Sequence, residues 1–181
     1  MASKEAPGDL SLVRAFVNTL DVEAGVDDLA GGCEAWLRRN GLLDEGSVDE
    51  RGCARLTAVR EALRELLLAN NDGHTPDAGA LSLLREAAGD APLAVAVDGD
   101  GAVSLHPTSA GVEGAIARLL AIVYRASASG EWGRLKACRN DSCRWAFYDH
   151  SRNRSGHWCS MAVCGNRSKV REYRRRRAAD G

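Results

Sequence analysis

Four cysteines near the C-terminal end constrain what this chain can fold into more than any other feature. They are spaced C-x4-C-x15-C-x4-C and lie at Cys138, Cys143, Cys159 and Cys164. Two cysteine pairs at this spacing can surround one tetrahedral zinc ion, because structural zinc sites are almost always four-coordinate. Four thiolates also close the coordination shell, so we predict one structural zinc ion rather than a catalytic one.

Charge is divided unevenly along the chain. The whole sequence of 181 residues carries a net charge of −1. Residues 1–133 hold 11 Lys and Arg against 21 Asp and Glu, a net charge of −10. Residues 134–181 hold 13 Lys and Arg against 4 Asp and Glu, a net charge of +9. An acidic body joined to a basic end predicts that only the end meets a polyanion such as a nucleic acid.

Apolar spacing predicts a mainly helical body with one β-hairpin. Leu93–Val97 and Ala102–His106 enclose the turn sequence Asp98–Gly101, which is the clearest hairpin signal in the chain. Apolar periodicity predicts helices over roughly residues 10–20, 33–40, 50–70, 76–88 and 112–127, with Asp49 and Thr75 as N-caps. The expected fold class is a mainly α (α+β) N-terminal domain that contains a β-hairpin, followed by a four-cysteine zinc finger.

Composition and charge change together near residues 127–132, which predicts a division of the chain. We expect a flexible leader over residues 1–8, a helical body over 9–132 and a zinc module over 133–181. Residues 1–7 contain no apolar stretch of the kind that a secretory signal has, and no segment approaches the roughly 20 apolar residues of a membrane span. We therefore expect no membrane partner and a cytoplasmic location, where cysteine clusters are more often metal sites than disulfides.

The segment around the cysteines has the layout of a treble-clef-like finger. Alternation along a short strand sorts its side chains into two faces, Trp145 with Phe147 and Ala146 with Tyr148. Ser160 is placed to cap a helix that starts at Met161 and contains the last cysteine. Thiolates near a helix N-terminus gain from its positive end, which helps to keep them deprotonated.

The C-terminal stretch resembles the CGNR zinc finger, named for a tetrapeptide that stands here as Cys164-Gly165-Asn166-Arg167. The likeness also covers the other three cysteines and Arg144, Trp145, Phe147, Asp149, Ser151–Ser155 and Trp158-Cys159-Ser160-Met161. The N-terminal part resembles ABATE, the partner domain of such fingers, through Phe16-Val17-Asn18-Thr19, Trp36-Leu37 and Gly41-Leu42-Leu43. Proteins of this family are regarded as bacterial stress-induced transcription regulators, so the resemblance implies a zinc-finger regulator.

The segment after the last cysteine predicts a basic helix. Three of its arginines share one stripe at roughly 100° per residue, and an apolar stripe beside them, Val163, Val170 and Tyr173, is expected to pack on the hairpin of the finger. Arginine offers planar bidentate contacts to phosphate and to guanine, whereas the competing interpretation is a merely solubilising helix end. The candidate nucleic-acid-binding residues of the helix and of the finger loop are Arg152, Asn153, Arg154, Arg167, Lys169, Arg171, Arg174 and Arg175.

Three functions remain open at the level of sequence. The first is a zinc-dependent DNA-binding transcription regulator whose acidic body senses a small-molecule effector or forms a homodimer. The second is a protein-interaction or ligand-binding protein with a purely structural finger, in which Arg167, Arg171 and Arg174 pair with the acidic body. The third is RNA binding, which needs exposed aromatic rings near the cysteines for base stacking. Those rings are Trp145, Tyr148 and Trp158.

The remaining polar residues give weaker signals. Asn18 and Arg60 lie on apolar helices and could line a ligand pocket for a small anion, or could cap and pair at the surface. His157 is an alternative metal ligand, while Cys33 and Cys53 lack metal spacing and are predicted to be small core residues. The sequence has no HExxH helix and no phosphate-binding glycine loop, so we do not expect an enzyme.

Overall fold

The structure is a computed structural model that describes residues 5–73 and 75–179. Within these residues, three antiparallel pairs of strands, each formed by two strands consecutive in the sequence, make separate two-stranded sheets among the helices. The elements in chain order are α1 (Leu10–Val17), β1 (Leu20–Asp21), β2 (Val26–Asp27), α2 (Cys33–Arg39), α3 (Glu50–Asp72), α4 (Ala78–Asp90), β3 (Leu93–Val97), β4 (Val103–Pro107), α5 (Gly111–Ala128), a 3₁₀ turn (Trp132–Arg134), β5 (Leu135–Ala137), β6 (Ala146–Tyr148), a π-helical turn (Met161–Gly165) and α6 (Asn166–Ala179). The predicted fold class, a mainly helical body with a hairpin and a C-terminal finger, is confirmed.

Capping residues explain where the longer helices begin and end. Asp49 caps α3 as predicted, since its carboxylate accepts a hydrogen bond from a backbone N–H of the first turn at 2.8 Å. The helix ends at Gly73, whose φ of +69° lies in the left-handed region that favours glycine. The predicted start of α4 at Thr75 is wrong. Asp77 is the N-cap instead, because its carboxylate accepts from the Ala80 N–H at 3.0 Å and also gains from the helix dipole.

One large core lies between α1, α2, α3 and α5. The long helix α3 contributes side chains at the predicted helical spacing, Leu56, Val59, Leu63 and Leu67, all fully buried. From α5 come Ile116 and Leu119, and the hairpin β3–β4 packs beside that helix. No helix within the described residues combines the length and the apolar character that crossing a membrane requires.

The short sheet β5–β6 belongs to two cores at once. Leu135 pairs with Tyr148 and Ala137 pairs with Ala146, and all four side chains lie in the large core with the body. On the opposite face Phe147 packs with three of the cysteines in a second, smaller core. The predicted sorting of the strand into two faces is confirmed, and its physical consequence is that the finger is built directly onto the body.

The predicted leader and the predicted domain boundary can be compared with the structure at the two ends of the body. Residues 1–4 of the leader lie outside the described residues, whereas Ala6 is buried in the large core and Glu5 pairs with Arg14. The predicted boundary between residues 132 and 133 falls in the 3₁₀ turn that leads into β5. The division of the chain at that point stays a prediction.

The apolar stripe of the last helix does not pack as expected. Val163, Val170 and Tyr173 are exposed by 44%, 48% and 61%, so the prediction that they cover the finger hairpin is wrong. Phe147 and the half-buried Trp145 fill the second core instead, and most side chains of α6 are exposed.

Candidate metal centre and nucleic-acid interface

The fold brings the four predicted metal ligands together. The thiol sulfurs of Cys138, Cys143, Cys159 and Cys164 all lie within 4.8 Å of one another. The first pair flanks the turn between β5 and β6, here called the zinc knuckle (residues 138–143), and the second pair flanks the start of the π-helical turn. Strands that enclose a knuckle, followed by a cysteine pair at a helix start, form the treble-clef-like arrangement that the sequence predicted.

The distances between the sulfurs fit a zinc ion. Cys143 Sγ lies 3.6 Å from Cys159 Sγ, and Cys159 Sγ lies 3.7 Å from Cys164 Sγ. Neighbouring sulfurs of a tetrahedral Zn–S₄ unit lie about 3.8 Å apart, given Zn–S bonds of about 2.3 Å. All four thiols are free of disulfides, and three of them are buried. The centre therefore holds one structural zinc ion through four thiolates, with no position left open for catalysis.

The thiols influence one another's ionisation strongly. Hydrogen bonds from Cys143 and then Cys159 lower the pKa of Cys138, so that one thiolate forms first. That thiolate in turn raises the pKa of Cys143 and of Cys159. Four thiols in contact resist full deprotonation unless a cation is bound, which is why a divalent metal ion suits this donor set.

Asn140 connects the metal centre to the basic helix. Its side chain is fully buried, and its Nδ2 donates to Cys164 Sγ at 3.6 Å. Its Oδ1 accepts from Arg171 Nη2 at 2.7 Å, and its backbone N–H donates to the Cys138 thiolate. Residues that hydrogen-bond metal ligands fix the ligands and tune the metal site. Nothing in the sequence indicates this role except the position of Asn140 between the first two cysteines.

The turn that carries the second cysteine pair differs in detail from the expectation. Ser160 caps it as predicted, since Ser160 Oγ accepts from the Val163 N–H at 3.3 Å. The first turn, Met161–Gly165, is π-helical rather than α-helical, and α6 begins only at Asn166. A π-helical turn shifts the register of the side chains that follow it, and such turns are frequent at functional sites.

A buried ion pair builds the loop that holds three of the candidate nucleic-acid-binding residues. Lys136 Nζ lies 2.9 Å from Asp149 Oδ2, and both side chains are at most 3% exposed. Asp149 also accepts from the backbone N–H groups of Ser151 and Gly156 at 3.0 and 2.7 Å. The loop between them exposes the side chains of Arg152, Asn153 and Arg154.

The same carboxylate has an unusual ionisation. Burial alone would raise the pKa of Asp149, but hydrogen bonds from Ser151 and Lys136, together with the backbone N–H groups of Ser151 and Gly156, hold it well below its usual range. Gly156 is fixed by close approach, because a Cβ there would lie 2.9 Å from the Asp149 carboxyl carbon. The loop is therefore held in one shape by a carboxylate that stays charged at neutral pH.

Polar residues of α3 attach the finger to the body. Arg64, almost fully buried, donates from Nη1 to the Arg144 carbonyl at 2.9 Å and from Nη2 to the Val17 carbonyl at 2.7 Å. Asn70 Nδ2 donates to the carbonyls of Trp132 and Leu135, each at 3.0 Å. Because buried carbonyl groups need partners, these bonds orient the finger on the helix.

Asn71 completes this attachment next to the second cysteine pair. Its Nδ2 donates to the carbonyls of Ala137 and His157 at 2.7 and 3.0 Å, and its Oδ1 accepts from His157 Nδ1 at 2.7 Å. Burial, together with the positive charges of Arg139 and Lys136, lowers the pKa of His157. His157, the alternative metal ligand, is thus a neutral contact between the body and the finger.

The two residues of the predicted ligand pocket have partners inside the protein. Asn18 forms two hydrogen bonds with the backbone of Ala146, at 2.9 and 2.7 Å. Arg60 is 1% exposed and contacts both carboxylate oxygens of Asp27, at 2.6 and 2.9 Å. The pocket stays a hypothesis, and the side-chain groups of Asn18 and Arg60 on which it rested are hydrogen-bonded to other parts of the protein. Cys33 and Cys53 lie in or against the large core, as predicted.

The basic residues of α6 form two sets. Arg167, Arg171 and Arg174 line one groove beside the zinc knuckle, whereas Lys169 and Arg175 lie elsewhere on the helix. Arg167 pairs with Glu23 of the body at 2.6 Å, an exposed ion pair that raises the pKa of Arg167, with smaller effects from Cys164 and Cys143. The groove thus brings together the stripe of arginines that the sequence predicted.

The aromatic side chains near the cysteines are less accessible than base stacking requires. Tyr148 is 6% exposed and belongs to the large core. Trp145 and Trp158 are half-buried against the cysteines and Phe147. Their position fits a role in excluding water from the metal centre.

The fold and the site define a zinc-finger protein whose four-thiolate centre joins an acidic helical body to a basic helix. Residues 134–177 match the CGNR zinc finger, and residues 10–129 match the ABATE family, described as "Putative stress-induced transcription regulator". The ABATE match spans more than half of the chain, and the chain belongs to this family. Both are regulator and zinc-finger types rather than enzyme families. No match was found among curated proteins.

Proposed function

We propose that this protein is a DNA-binding transcription regulator in which the zinc finger presents α6 to the DNA duplex. The observation that carries the proposal is the exposure of α6. Between residues 166 and 178 only Ser168 and Glu172 are half-buried, and every other side chain is exposed. The helix follows the turn that carries Cys164, and its Arg171 binds Asn140 of the zinc knuckle.

The charge of this helix supports DNA as the partner. Its one described acid, Glu172, pairs with Arg175 and Arg176 at 2.7 and 3.0 Å. Arg167 pairs with Glu23 of the body, whereas Lys169, Arg174 and Arg177 are exposed and can contact a polyanion. A helix of 14 residues is about 21 Å long, and the major groove of B-DNA is wide enough to admit a helix.

The finger loop supplies a second contact surface in this proposal. Arg152, Asn153 and Arg154 are exposed on a loop whose backbone is fixed by Asp149. Preorganised cations of this kind fit phosphate contacts, which set the position of a protein on the duplex without reading its sequence. Asn153 offers an amide suited to an adenine edge.

Two observations weigh the alternatives. A protein-interaction or ligand-binding function with a purely structural finger predicted that three arginines pair with the acidic body, and Arg167 does so through Glu23. Exposed ion pairs contribute little to stability, and Arg171 binds Asn140 of the finger rather than the body. The burial of Tyr148 weighs against base stacking and thus against RNA.

The remaining parts of the proposal rest on the two-part architecture. The acidic body would sense a small-molecule effector or form a homodimer, because one short helix alone contacts too few base pairs for useful specificity. A cytoplasmic location follows from the same proposal, since the finger must keep its thiolates reduced and must reach DNA.

The test is a titration of DNA with zinc-loaded protein, in which fluorescence anisotropy measures the binding at several salt concentrations. Phosphate contacts make the logarithm of affinity fall linearly with the logarithm of salt concentration, by about 0.9 per contact. We expect the double variant Lys169→Ala and Arg174→Ala to bind more weakly and to reduce that slope by about two units.

The matched control removes the same charge from the body. Arg51 and Arg85 are exposed on α3 and α4, and their double alanine variant should bind DNA nearly as well as the unmodified protein, with nearly the same salt dependence. Absence of salt-dependent binding to any duplex, with zinc confirmed in the protein, would overturn the proposal. Equal losses in both double variants would show that α6 has no specific role.

A further inference from the structure

A groove of about 530 Å³ lies between α6 and the zinc knuckle. Its floor includes Val163 and Val170, and both side chains are more than two-fifths exposed. Its rim carries three guanidinium groups, those of Arg167, Arg171 and Arg174. An apolar floor inside a cationic rim is a surface of mixed chemistry that phosphate binding alone does not require.

The exposed valines do not stabilise the described part of the chain by packing. They lie outside both apolar cores, and valine is a poorer helix former than alanine, leucine or arginine, so Val170 does not strengthen α6 either. Because the two valines share one groove with mostly polar neighbours, they form a small apolar patch rather than isolated exposed side chains.

Helical spacing surrounds Val170 with polar side chains. Asn166, Val170 and Arg174 are four residues apart and form one row along α6, and Arg167 and Arg171 form the adjacent row. The same helix face thus offers an apolar methyl surface at its centre and hydrogen-bond donors on three sides. Arg171 is held in place by Asn140, so this side of the face is rigid.

We propose that α6 reads thymine in the major groove of DNA, with the 5-methyl group of the base packed against Val170. The inference rests on the proposed DNA-binding function and specifies what the same helix recognises. Thymine is the base that presents a methyl group in the major groove, and apolar side chains contact it there. The flanking arginines would bind the edges of neighbouring guanines or the phosphates.

The size and the charge of the groove favour this occupant over an acidic protein. A stable protein interface buries about 800 Å² on each partner, far more than two half-exposed valines provide. A single methyl group fits a floor of that size, and the basic rim complements the duplex around it. Reading the methyl group would also separate DNA from RNA, in which uracil lacks it.

The experiment compares two duplexes that differ only in that methyl group. Zinc-loaded full-length protein is titrated into an alternating A·T duplex and into the same duplex with uracil in place of thymine. We expect about fourfold weaker binding to the uracil duplex, the effect of losing one buried methyl-sized group. The Val170→Ala variant should bind both duplexes equally, while Val95→Ala, which alters an exposed valine of β3, should keep the difference.

The outcomes separate this inference from the proposed function. Equal binding of the unmodified protein to both duplexes would overturn thymine reading and leave DNA binding intact. A difference that persists in Val170→Ala would assign it to DNA shape, which also overturns the inference. Absence of binding to either duplex would overturn the proposed function itself. Because alanine is a better helix former than valine, loss of binding through unfolding of α6 is not expected in this variant.

Discussion

Single buried polar residues carry much of the order in the finger. Asn140 bonds a cysteine on one side and Arg171 on the other, so a candidate nucleic-acid-binding arginine and a metal ligand share one side chain. Lys136 and Asp149 do the same for the loop, since their ion pair is buried and the carboxylate also binds the loop backbone. Such groups cost free energy to bury unless every partner is present, so each of them ties two parts of the finger together.

The ionisation of Asp149 makes a prediction about acid stability. Its folded pKa lies below the unfolded value of about 3.9, so it stabilises the fold above that pH and the stabilisation is lost as the pH falls through the folded pKa. Asp149→Asn should lower the free energy of unfolding at neutral pH by about 3–5 kcal/mol, because Lys136 is left without a buried counter-charge.

Urea denaturation of both proteins across a pH series checks this expectation. The difference between them should shrink as the pH falls below about 4, where the carboxylate of the unfolded chain becomes protonated, and should be lost as the pH passes the lowered folded pKa of Asp149. Asp98→Asn in the exposed hairpin turn is the matched control and should leave the free energy of unfolding nearly unchanged. A difference that is independent of pH would show that lost hydrogen bonds, rather than charge, account for the effect.

Among the elements, α3 has the widest structural role. Its leucines fill the large core, while its polar residues Arg64, Asn70 and Asn71 bind backbone carbonyls of the finger. An amphipathic helix normally turns its polar side to solvent, but here part of that side is covered by β5 and the segment before Cys159. Helix α3 therefore fixes the position of the finger, and with it the metal centre, relative to the body.

Asn71→Ala tests this role of α3. The substitution leaves the carbonyls of Ala137 and His157 without their donor, and we expect a loss of about 1–3 kcal/mol in the free energy of unfolding. We also expect zinc to leave faster for a chelator, because His157 lies two residues before a metal ligand. Arg51→Ala, on the exposed side of the same helix, should change neither quantity. A variant that loses stability but keeps its rate of zinc release would show that α3 supports the fold and does not restrain the metal centre.

At the scale of elements, the sequence could predict the features that depend on residues close to one another in the chain. The Asp49 cap, the hairpin around Asp98–Gly101 and the cysteine spacing each follow from neighbours in the chain, and the structure agrees with them. The polar residues of α3 were beyond reach, because their partners lie 62 to 86 residues away in sequence. Helical periodicity likewise placed Val170 beside the arginines but could not show that Phe147 already filled the finger core.

For the whole molecule, the two cores predict how the protein responds to loss of metal. The smaller core consists of Phe147 and three cysteines, with Trp145, Trp158 and Cys159 packed against it, so removal of zinc leaves mutually repelling or protonated thiols at its centre. The large core contains β5 and β6 as well as the body helices and does not use the metal. We therefore expect a strong chelator to release α6 while the body remains folded.

Circular dichroism and tryptophan fluorescence can follow this partial unfolding. Chelation should remove the part of the helical signal that α6 contributes. It should also increase the solvent exposure of Trp145 and Trp158, and added zinc should restore both signals. Cys164→Ser should resemble the chelated protein, whereas Cys33→Ser, in the large core, should still respond to chelator and zinc. Complete and cooperative loss of helix on chelation would contradict the prediction, and would mean that the attachment through α3 makes body and finger one folding unit. A regulator built as we expect would lose its DNA-binding helix on metal loss and keep the body, since only the helix is anchored through the thiolates.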